Sequence, residues 1–401
     1  MSRQVGLFAP EQLRRVIALL DARADILEVR VTGPAAPAWC RERGWTPFLL
    51  GLDDATVDAC EADGAARVLL RQEGLPASLR ELAIEALSAS EIPSVSGAEE
   101  EAALLSASPR KRDQIAALAA LAPRGAGRIL DFGSGRGHLT RRLAKTLGVP
   151  AVGFERRPEV VAAARAIAPD PEVTFESQEI GASLDVRPDD LLVGLHACGG
   201  LGDALIRCAA SAGAAVLLVP CCPQKISGEV RAPLSRDGRP LARELLGLAN
   251  LAAAAAGVSA AGVSAVDGNE RRRTRVALRL LLQDAGLTIA PGAEARGINR
   301  RRFREGLAGV AGPAFERRGL PAPSASAMRR ADAKATEDYR RIRRFSVARA
   351  LLARPLELAI VLDRAAALAE AGGAQPTVVE AFPSAVSPRN LLVRRSRQDP
   401  R

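Results

Sequence analysis

The spacing of apolar residues changes along the chain, and each spacing indicates a different kind of structure. Up to about residue 105, apolar residues recur three and four positions apart, as in Pro10–Leu27 and Leu79–Leu87, between breaks at proline and glycine. This spacing is typical of amphipathic helices. It predicts a small helical domain over residues 1–105.

From Arg128 onward, short and almost entirely apolar runs alternate with helical segments. Strands of this composition are buried on both faces, as they are in a parallel sheet covered by helices. The pattern therefore predicts an α/β domain with a doubly wound sheet. The predicted strands are Arg128–Asp131, Ala151–Glu155, Val173–Ser177, Leu191–His196 and Ala215–Pro220.

After Cys222 the regular alternation stops, and residues 227–345 are rich in Arg, Ala, Gly and Pro. This stretch is interpreted as an insertion in the α/β domain. It contains the clusters Arg271–Arg275 and Arg300–Arg304, which helices could carry. The clusters are either a solvated surface or a phosphate-binding face, and the sequence leaves both interpretations open.

The last part of the chain returns to a regular pattern. An amphipathic helix is predicted from about Phe345 to Ala371, followed by the apolar runs Thr377–Phe382 and Leu391–Arg394. Two such runs joined by a turn form an antiparallel hairpin. The α/β domain is therefore expected to consist of residues 106–226 and 346–401.

Three glycines follow the first predicted strand, at positions 133, 135 and 137. Glycine lets the backbone approach a ligand closely, and the helix that follows offers free N–H groups. A dinucleotide fingerprint places its third glycine three residues after the second. Here it follows after two residues, behind the acidic Asp131, which is the form found in methyltransferases that use S-adenosyl-L-methionine. A nicotinamide enzyme and a structural glycine turn are the alternatives.

The cofactor prediction extends to specific side chains. Asp131, Gly133, Ser134, Gly135 and Gly137 are predicted to form the loop that holds the methionine part of S-adenosyl-L-methionine.

Two acidic residues at later strand ends complete the predicted cofactor site. Glu155 ends the second strand, where an acidic side chain receives ribose hydroxyls. At the end of the third strand, Glu179 is favoured over Glu176 to accept the adenine amino group.

Histidine and cysteine residues follow the next two predicted strands. The carboxyl ends of neighbouring parallel strands face one crevice, so His196, Cys198, Cys221 and Cys222 are expected to converge. They could shape the cofactor and substrate pocket, His196 could act as a general base or hydrogen-bonding group, or the thiols could bind zinc. Adjacent cysteines give poor tetrahedral spacing, so no metal is expected.

Four segments together resemble a known family: Asp131–Gly137, His196–Gly199, Pro220–Cys222 and Val386–Leu391. They resemble the methyltransferase-like family that contains the eukaryotic rRNA adenine dimethylase domain-containing proteins. More distantly, they are similar to the tRNA 2'-O-methyltransferases that modify the acceptor stem. The resemblance implies a seven-stranded methyltransferase sheet, S-adenosyl-L-methionine as cofactor, and an RNA substrate.

The same family carries a Ser-Pro-Lys-Lys-x-His-Glu segment before the cofactor strand. Ser108–Gln114 matches it only in part, because Asp113 and Gln114 stand where the family has His and Glu. The departure puts any cofactor or catalytic role of that pair in doubt.

The predicted hairpin turn suggests further site residues. If the sixth strand is parallel and the seventh antiparallel, their connection lies at the carboxyl edge with the cofactor. Arg389 and Asn390 would then face the substrate and join His196 and Cys198 as candidate catalytic residues. The alternative is a turn in which the asparagine caps backbone groups.

Charge and composition add little about partners. The formal net charge of +10 at pH 7 suggests a polyanionic partner such as RNA. Only four of the 56 basic residues are lysine, however, and this skew is typical of a GC-rich genome. We therefore discount the charge as evidence, while keeping RNA as the expected partner.

The compartment is predicted from what the chain lacks. The six cysteines are scattered or adjacent rather than arranged as a disulfide framework, so reduced thiols are expected. No apolar run of about 18 residues is free of charge, and no signal-peptide pattern begins the chain. These observations predict no membrane contact and a cytoplasmic location.

The sequence as a whole predicts an S-adenosyl-L-methionine-dependent methyltransferase that acts on RNA. The usual signature of base-amino methylation, Asp or Asn followed by Pro-Pro and an aromatic residue, is replaced by His196–Gly199. An RNA hydroxyl or ring nitrogen is therefore the expected acceptor. The alternatives are a methyltransferase for a small molecule or protein, and a non-catalytic RNA-binding protein that keeps the fold.

Overall fold

A computed structural model describes residues 6–95, 108–167, 170–179, 184–249, 265–384 and 386–397. The chain divides into two compact units. The first consists of Met1–Ala24, Glu85–Val258 and Leu352–Arg401, and the second of Asp25–Ile84 and Ser259–Leu351.

The α-helices are numbered in chain order through the described residues. They are α1 (Pro10–Ala22), α2 (Ala24–Glu28), α3 (Ala38–Glu42), α4 (Thr46–Gly51), α5 (Asp54–Asp63), α6 (Ala65–Leu69), α7 (Ala77–Ala89), α8 (Pro109–Leu121), α9 (His138–Leu147), α10 (Pro158–Ile167), α11 (Gly200–Ala212), α12 (Arg243–Leu246), α13 (Ala265–Asp284), α14 (Gly306–Glu316), α15 (Ala325–Ala350) and α16 (Ala353–Glu370). Short 3₁₀ helices cover Ala293–Ala295 and Arg300–Glu305.

The strands are numbered in the same way. They are β1 (Arg128–Phe132), β2 (Ala151–Glu155), β3 (Val173–Ser177), β4 (Asp190–Cys198), β5 (Ala215–Cys221), β6 (Val230–Arg231), β7 (Leu241–Ala242), β8 (Thr377–Glu380) and β9 (Leu391–Arg395).

The first unit is built on a seven-stranded sheet in the order β3-β2-β1-β4-β5-β9-β8. Strands β1 to β5 pair in parallel, whereas β9 pairs antiparallel with both β5 and β8. The hairpin therefore folds back so that its second strand lies inside the sheet. The predicted seven-stranded, doubly wound α/β fold is confirmed.

Burial explains the apolar runs in the central strands. Leu191, Leu192 and Val193 of β4 have no exposed surface, and neither do Val216 to Val219 of β5. A strand covered by helices on both faces needs apolar side chains at successive positions. These central strands therefore carry the carboxyl-edge residues on a rigid support.

The second unit joins two distant parts of the chain. Its core is formed mainly by α13, α14 and α15, and Val31 from the N-terminal part packs against it. Arg343 of α15 also binds Glu61 of α5 at 2.9 Å. The two units therefore cut across the boundaries predicted at residues 105, 226 and 345, because packing partners are chosen in space rather than along the chain.

The predicted helix from Phe345 to Ala371 is two helices in the structure. Helix α15 ends at Ala350 and α16 begins at Ala353. Pro355 has no N–H to donate to the carbonyl of Leu351, and its ring crowds that carbonyl. The proline thus explains why the helical pattern is interrupted there. None of the described helices is long and apolar enough to cross a membrane.

Candidate active site

The glycine loop after β1 holds a left-handed backbone at all three glycines. Gly133, Gly135 and Gly137 have φ values of 78°, 55° and 74°. A Cβ atom on Gly137 would lie 2.2 Å from Cζ of Phe175, so no larger residue fits there. A Cβ atom on Gly135 would meet nothing within 4 Å. The loop therefore packs tightly at Gly137 and leaves space beside Gly135.

Asp131 is the second-last residue of β1, just before this loop, and is almost completely buried, with 2% of its surface exposed. The Thr140 hydroxyl donates a hydrogen bond of 2.6 Å to its Oδ2. Burial raises the pKa of Asp131 to about 6, although this hydrogen bond and the charge of Lys111 partly oppose the rise. A buried carboxylate with a nearby open space suits a cationic group.

Ser134, in the middle of the loop, has a buried hydroxyl oxygen that lacks a hydrogen-bond partner among the described residues. A buried hydroxyl without a partner costs free energy unless a ligand or a water molecule forms a hydrogen bond with it. Ser134 therefore has unused hydrogen-bonding capacity at the predicted cofactor loop.

The two predicted acids at the later strand ends differ in their surroundings. Glu155 ends β2, and its Oε1 accepts hydrogen bonds from the Arg157 backbone N–H at 3.2 Å and from Nε at 3.1 Å. Glu179 follows β3 by two residues and is exposed. Both side chains lie near carboxyl ends of adjacent strands, and their cofactor roles stay predictions.

His196 occupies an irregular position in β4, where the pairing with β5 shifts between Leu195 and Ala197. Its φ of 62° is left-handed, which is rare for a residue with a side chain. Its Nε2 lies 3.0 Å from Oε1 of Gln114 on α8. Burial, followed by the charges of Lys111 and Arg110, lowers the pKa of His196 to about 4.

The cysteines at the ends of β4 and β5 converge as the sequence predicts. The Sγ atoms of Cys198 and Cys221 are 2.8 Å apart, and both thiols donate to the His196 carbonyl oxygen. Cys222 completes the group, and all three sulfurs lie within 4.8 Å of one another. Hydrogen bonds from the Cys198 and Cys221 thiols lower the pKa of Cys222.

Arg389 and Asn390 are both buried, and their catalytic roles stay predictions. The charge of Arg389 acts on His196 and Cys222 at the carboxyl edge. Arg389 Nη1 binds Glu357 Oε1 at 3.1 Å. The Asn390 amide donates to the Phe382 carbonyl oxygen at 3.2 Å. This arrangement favours the alternative interpretation, in which the asparagine caps backbone groups, because neither side chain turns toward solvent: 7% of Arg389 and 2% of Asn390 is exposed.

The sequence of this region also matches a known family. A family model described as a methyltransferase domain matches residues 110–229. Residues 110–229 are a methyltransferase domain. The match covers α8, the glycine loop and the ends of β4 and β5. No curated protein matches the chain.

Solved structures of methyltransferases resemble part of the chain. A TehB-like SAM-dependent methyltransferase from Corynebacterium glutamicum is 21% identical, covering 26% of this chain and 59% of its own, with a TM-score of 0.22. DesVI from Streptomyces venezuelae is 21% identical, covering 32% and 61%, with a TM-score of 0.22. The sugar N-methyltransferase KedS8 from Streptoalloteichus is 18% identical, covering 37% and 69%, with a TM-score of 0.22.

The match to these structures is partial on both sides. The chain covers 59% of the length of the first and 61% of the second.

Helix α8 adds two residues to the methyltransferase domain site that the sequence did not assign. Gln114 binds His196, and the charge of Lys111 acts on Asp131, His138 and His196. The partial match of Ser108–Gln114 to the family segment was the available signal. The residue types differ from the family segment, yet glutamine can bind a histidine ring as a glutamate would.

Proposed function

We propose that the methyltransferase domain uses S-adenosyl-L-methionine and transfers its methyl group to RNA. The observation that carries the cofactor part is the open space at Gly135, in the loop that also carries the unsatisfied Ser134 hydroxyl and that follows the buried Asp131. A negative charge, an unpaired hydroxyl and an unobstructed backbone together fit the ammonium and carboxylate of a methionine moiety.

The strand ends supply the remaining contacts. Glu155 would receive the ribose hydroxyls after giving up its bond to the exposed Arg157, and Glu179 would accept the adenine amino group. When bound, the sulfonium of the cofactor supplies an already activated methyl group. The chain itself then needs to align the acceptor, and His196, whose Nε2 lies 3.0 Å from Gln114 Oε1, would hydrogen-bond that acceptor.

The RNA part rests on the Arg300–Arg304 cluster in the second unit. Arg300, Arg301, Arg302 and Arg304 are exposed, and within the described residues none of them forms an ion pair. The cluster is anchored by Phe303, which is buried and lies under the guanidinium of Arg275 at 5.5 Å. Unpaired guanidinium groups on a fixed backbone suit phosphates and stacked bases.

In the Arg271–Arg275 cluster, in contrast, Arg273 already binds carboxylates of the second unit. Arg273 binds Glu270 at 2.6 Å and Asp332 at 2.7 Å. Its charge is therefore already balanced by carboxylates. We assign RNA binding to Arg300–Arg304 rather than to both clusters.

A pair of glycine variants tests this function. Gly135→Val should abolish S-adenosylhomocysteine binding in calorimetry and the transfer of labelled methyl groups to tRNA and rRNA, because its side chain would fill the ligand space. Gly148→Val is the matched control. Gly148 also has a positive φ, of 68°, and space around its Cα, but it ends α9 away from the loop.

The outcomes separate the alternatives. If the wild-type chain does not bind S-adenosylhomocysteine, the scaffold alternative gains and the cofactor assignment fails. If it binds but labels only small molecules or proteins in a cell extract, the RNA part fails and the cofactor part stands.

A further inference from the structure

The three cysteines at the ends of β4 and β5 form a compact group of sulfur atoms. Cys198 and Cys221 are register partners on adjacent parallel strands, so their side chains leave the sheet side by side. Cys222 is next to Cys221 in sequence, and neighbouring residues of a regular strand point to opposite faces. Its left-handed φ of 36° ends that alternation. This turn brings the Cys222 sulfur close to the sulfurs of Cys198 and Cys221. Their adjacent positions in the sequence therefore do not prevent Cys221 and Cys222 from binding the same metal ion.

The backbone around the thiols is fixed before any ligand binds. Gly199 N–H donates to the Cys221 carbonyl at 3.2 Å, Lys225 N–H to that of Cys222 at 3.1 Å, and Gly200 N–H to that of Lys225 at 2.9 Å. A Cβ atom on Gly199 would lie 2.1 Å from the Lys225 carbonyl oxygen, so the two strand ends are in close contact. His196 and Cys222 are the non-glycine residues with positive φ in the described part of the chain. Unusual backbone concentrated at one point is characteristic of ligand sites.

We propose that Cys198, Cys221 and Cys222 bind a zinc ion through their sulfur atoms and leave one coordination position open. Thiolates are the ligands that thiophilic ions such as Zn²⁺ prefer. Tetrahedral zinc with bonds of about 2.3 Å to sulfur places sulfurs about 3.8 Å apart. All three sulfurs already lie within 4.8 Å, so the Cys198–Cys221 pair at 2.8 Å needs only to separate by side-chain rotation.

The charges around the group suit such a site. Binding of Zn²⁺ by thiols releases one proton for each thiol that is still protonated, and leaves a net charge of −1 on the three thiolates and the ion. Lys225 Nζ lies 3.7 Å from Cys198 Sγ and can balance this charge. The positive charge of Arg389 acts on Cys222 as well.

The fourth position is open to solvent or to a substrate atom. No fourth His, Cys, Asp or Glu of the described residues joins the three sulfurs. Sites with three protein ligands and one open position are typical of zinc that takes part in catalysis, whereas structural zinc sites are closed. Cys198 ends β4, which pairs with β1, and the glycine loop follows β1. Leu201, three residues after Cys198, lies 3.3 Å from a Cβ atom built on Gly133. A group bound at the open position would therefore lie at the same edge as the proposed cofactor.

Zinc binding to the reduced, chelator-washed full chain tests the proposal without any cofactor. We expect one Zn²⁺ per chain by elemental analysis, and Co²⁺ in its place should give sulfur-to-metal charge-transfer bands. The variants Cys198→Ser, Cys221→Ser and Cys222→Ser should each weaken binding by more than about 100-fold, since even outer-shell changes cost up to that factor. Cys208→Ser is the matched control, because Cys208 is partly buried on α11 outside the group.

Circular dichroism and S-adenosylhomocysteine binding of the same variants show whether they fold. Reduced wild-type protein that retains no Zn²⁺ after gel filtration would overturn the proposal, and so would folded serine variants that bind it as tightly. A Cys198–Cys221 disulfide trapped in protein isolated from cells would also overturn it, because disulfide sulfurs are not thiolate ligands.

Discussion

At the residue scale, the buried carboxylate of Asp131 makes cofactor binding sensitive to pH. Burial raises its pKa to about 6, so the ionised form predominates above that value and is lost as the pH falls through it. Only the ionised form attracts the ammonium of the cofactor. We expect S-adenosylhomocysteine affinity to be constant near pH 8 and to fall by up to about tenfold for each unit below pH 6.

Calorimetry from about pH 5 to 8 checks this prediction. Asp131→Asn keeps the size of the side chain, and it should bind weakly at every pH with a flatter profile. A wild-type affinity that does not change across this range, or an Asn variant with the wild-type profile, would show that Asp131 does not hold the ammonium.

Single residues differ in how far the sequence predicts them. Gly135 and Asp131 were predicted from spacing alone, because a glycine loop after a buried strand is a local pattern. Gln114 was not, because its contact with His196 joins positions 82 residues apart. The turn position alone predicts that Arg389 faces the substrate, whereas its bond to Glu357 of α16 joins positions 32 residues apart and has no local pattern.

At the element scale, a buried ion network ties the end of β4 to α11, α16 and the segment after β5. Arg231 binds both oxygens of Asp203 at 3.0 Å and Asp363 at 2.8 Å. Arg364 binds Asp203 at 2.9 Å and the Gly199 carbonyl oxygen at 3.2 Å. All four charged residues are at most 4% exposed. The network thereby fixes the backbone next to Cys198.

Removal of one charge from this network should destabilise the first unit strongly. Asp203→Asn leaves Arg231 and Arg364 with one carboxylate fewer in a buried place, and such losses cost about 3–5 kcal/mol. Hydrogen exchange at β4 and β5 amides measures the effect. Tryptophan fluorescence is not suitable, since Trp39 and Trp45 belong to the second unit.

An exposed ion pair of the first unit provides the control. Glu11 binds Arg14 at 2.8 Å, but its side chain is 74% exposed. Glu11→Gln should therefore change stability by less than about 1 kcal/mol. Equal effects of the two substitutions would mean that the buried network does not support the sheet edge.

At the scale of the whole molecule, the position of the arginines should matter more for RNA binding than the net charge of the chain. Replacement of Arg300, Arg301 and Arg302 by Gln should weaken RNA binding and flatten its dependence on salt, because each lost phosphate contact removes roughly 0.7 to 0.9 from the log-log slope. Cofactor affinity should stay the same, since the glycine loop is unchanged. Fluorescence anisotropy with labelled tRNA over a range of salt concentrations measures both quantities.

A control variant with the same net charge isolates position from composition. Arg67, Arg71 and Arg80 are exposed on or near α6 and α7 of the same unit. Their replacement by Gln should leave the slope near that of the wild type. If both triple variants bind RNA like the wild type, the arginines are a solvated surface that reflects codon bias, and a small-molecule acceptor becomes the better proposal.

The sequence by itself determined the features that depend on near neighbours. Buried strands, the glycine loop and the C-terminal hairpin each have a local pattern, because strand burial and positive φ act on a few consecutive residues. The tertiary structure decided what depends on distant partners and on one backbone angle. Contacts between distant residues assemble the second unit from residues 25–84 and 259–351. The positive φ of Cys222 brings together three thiols that strand alternation would have separated.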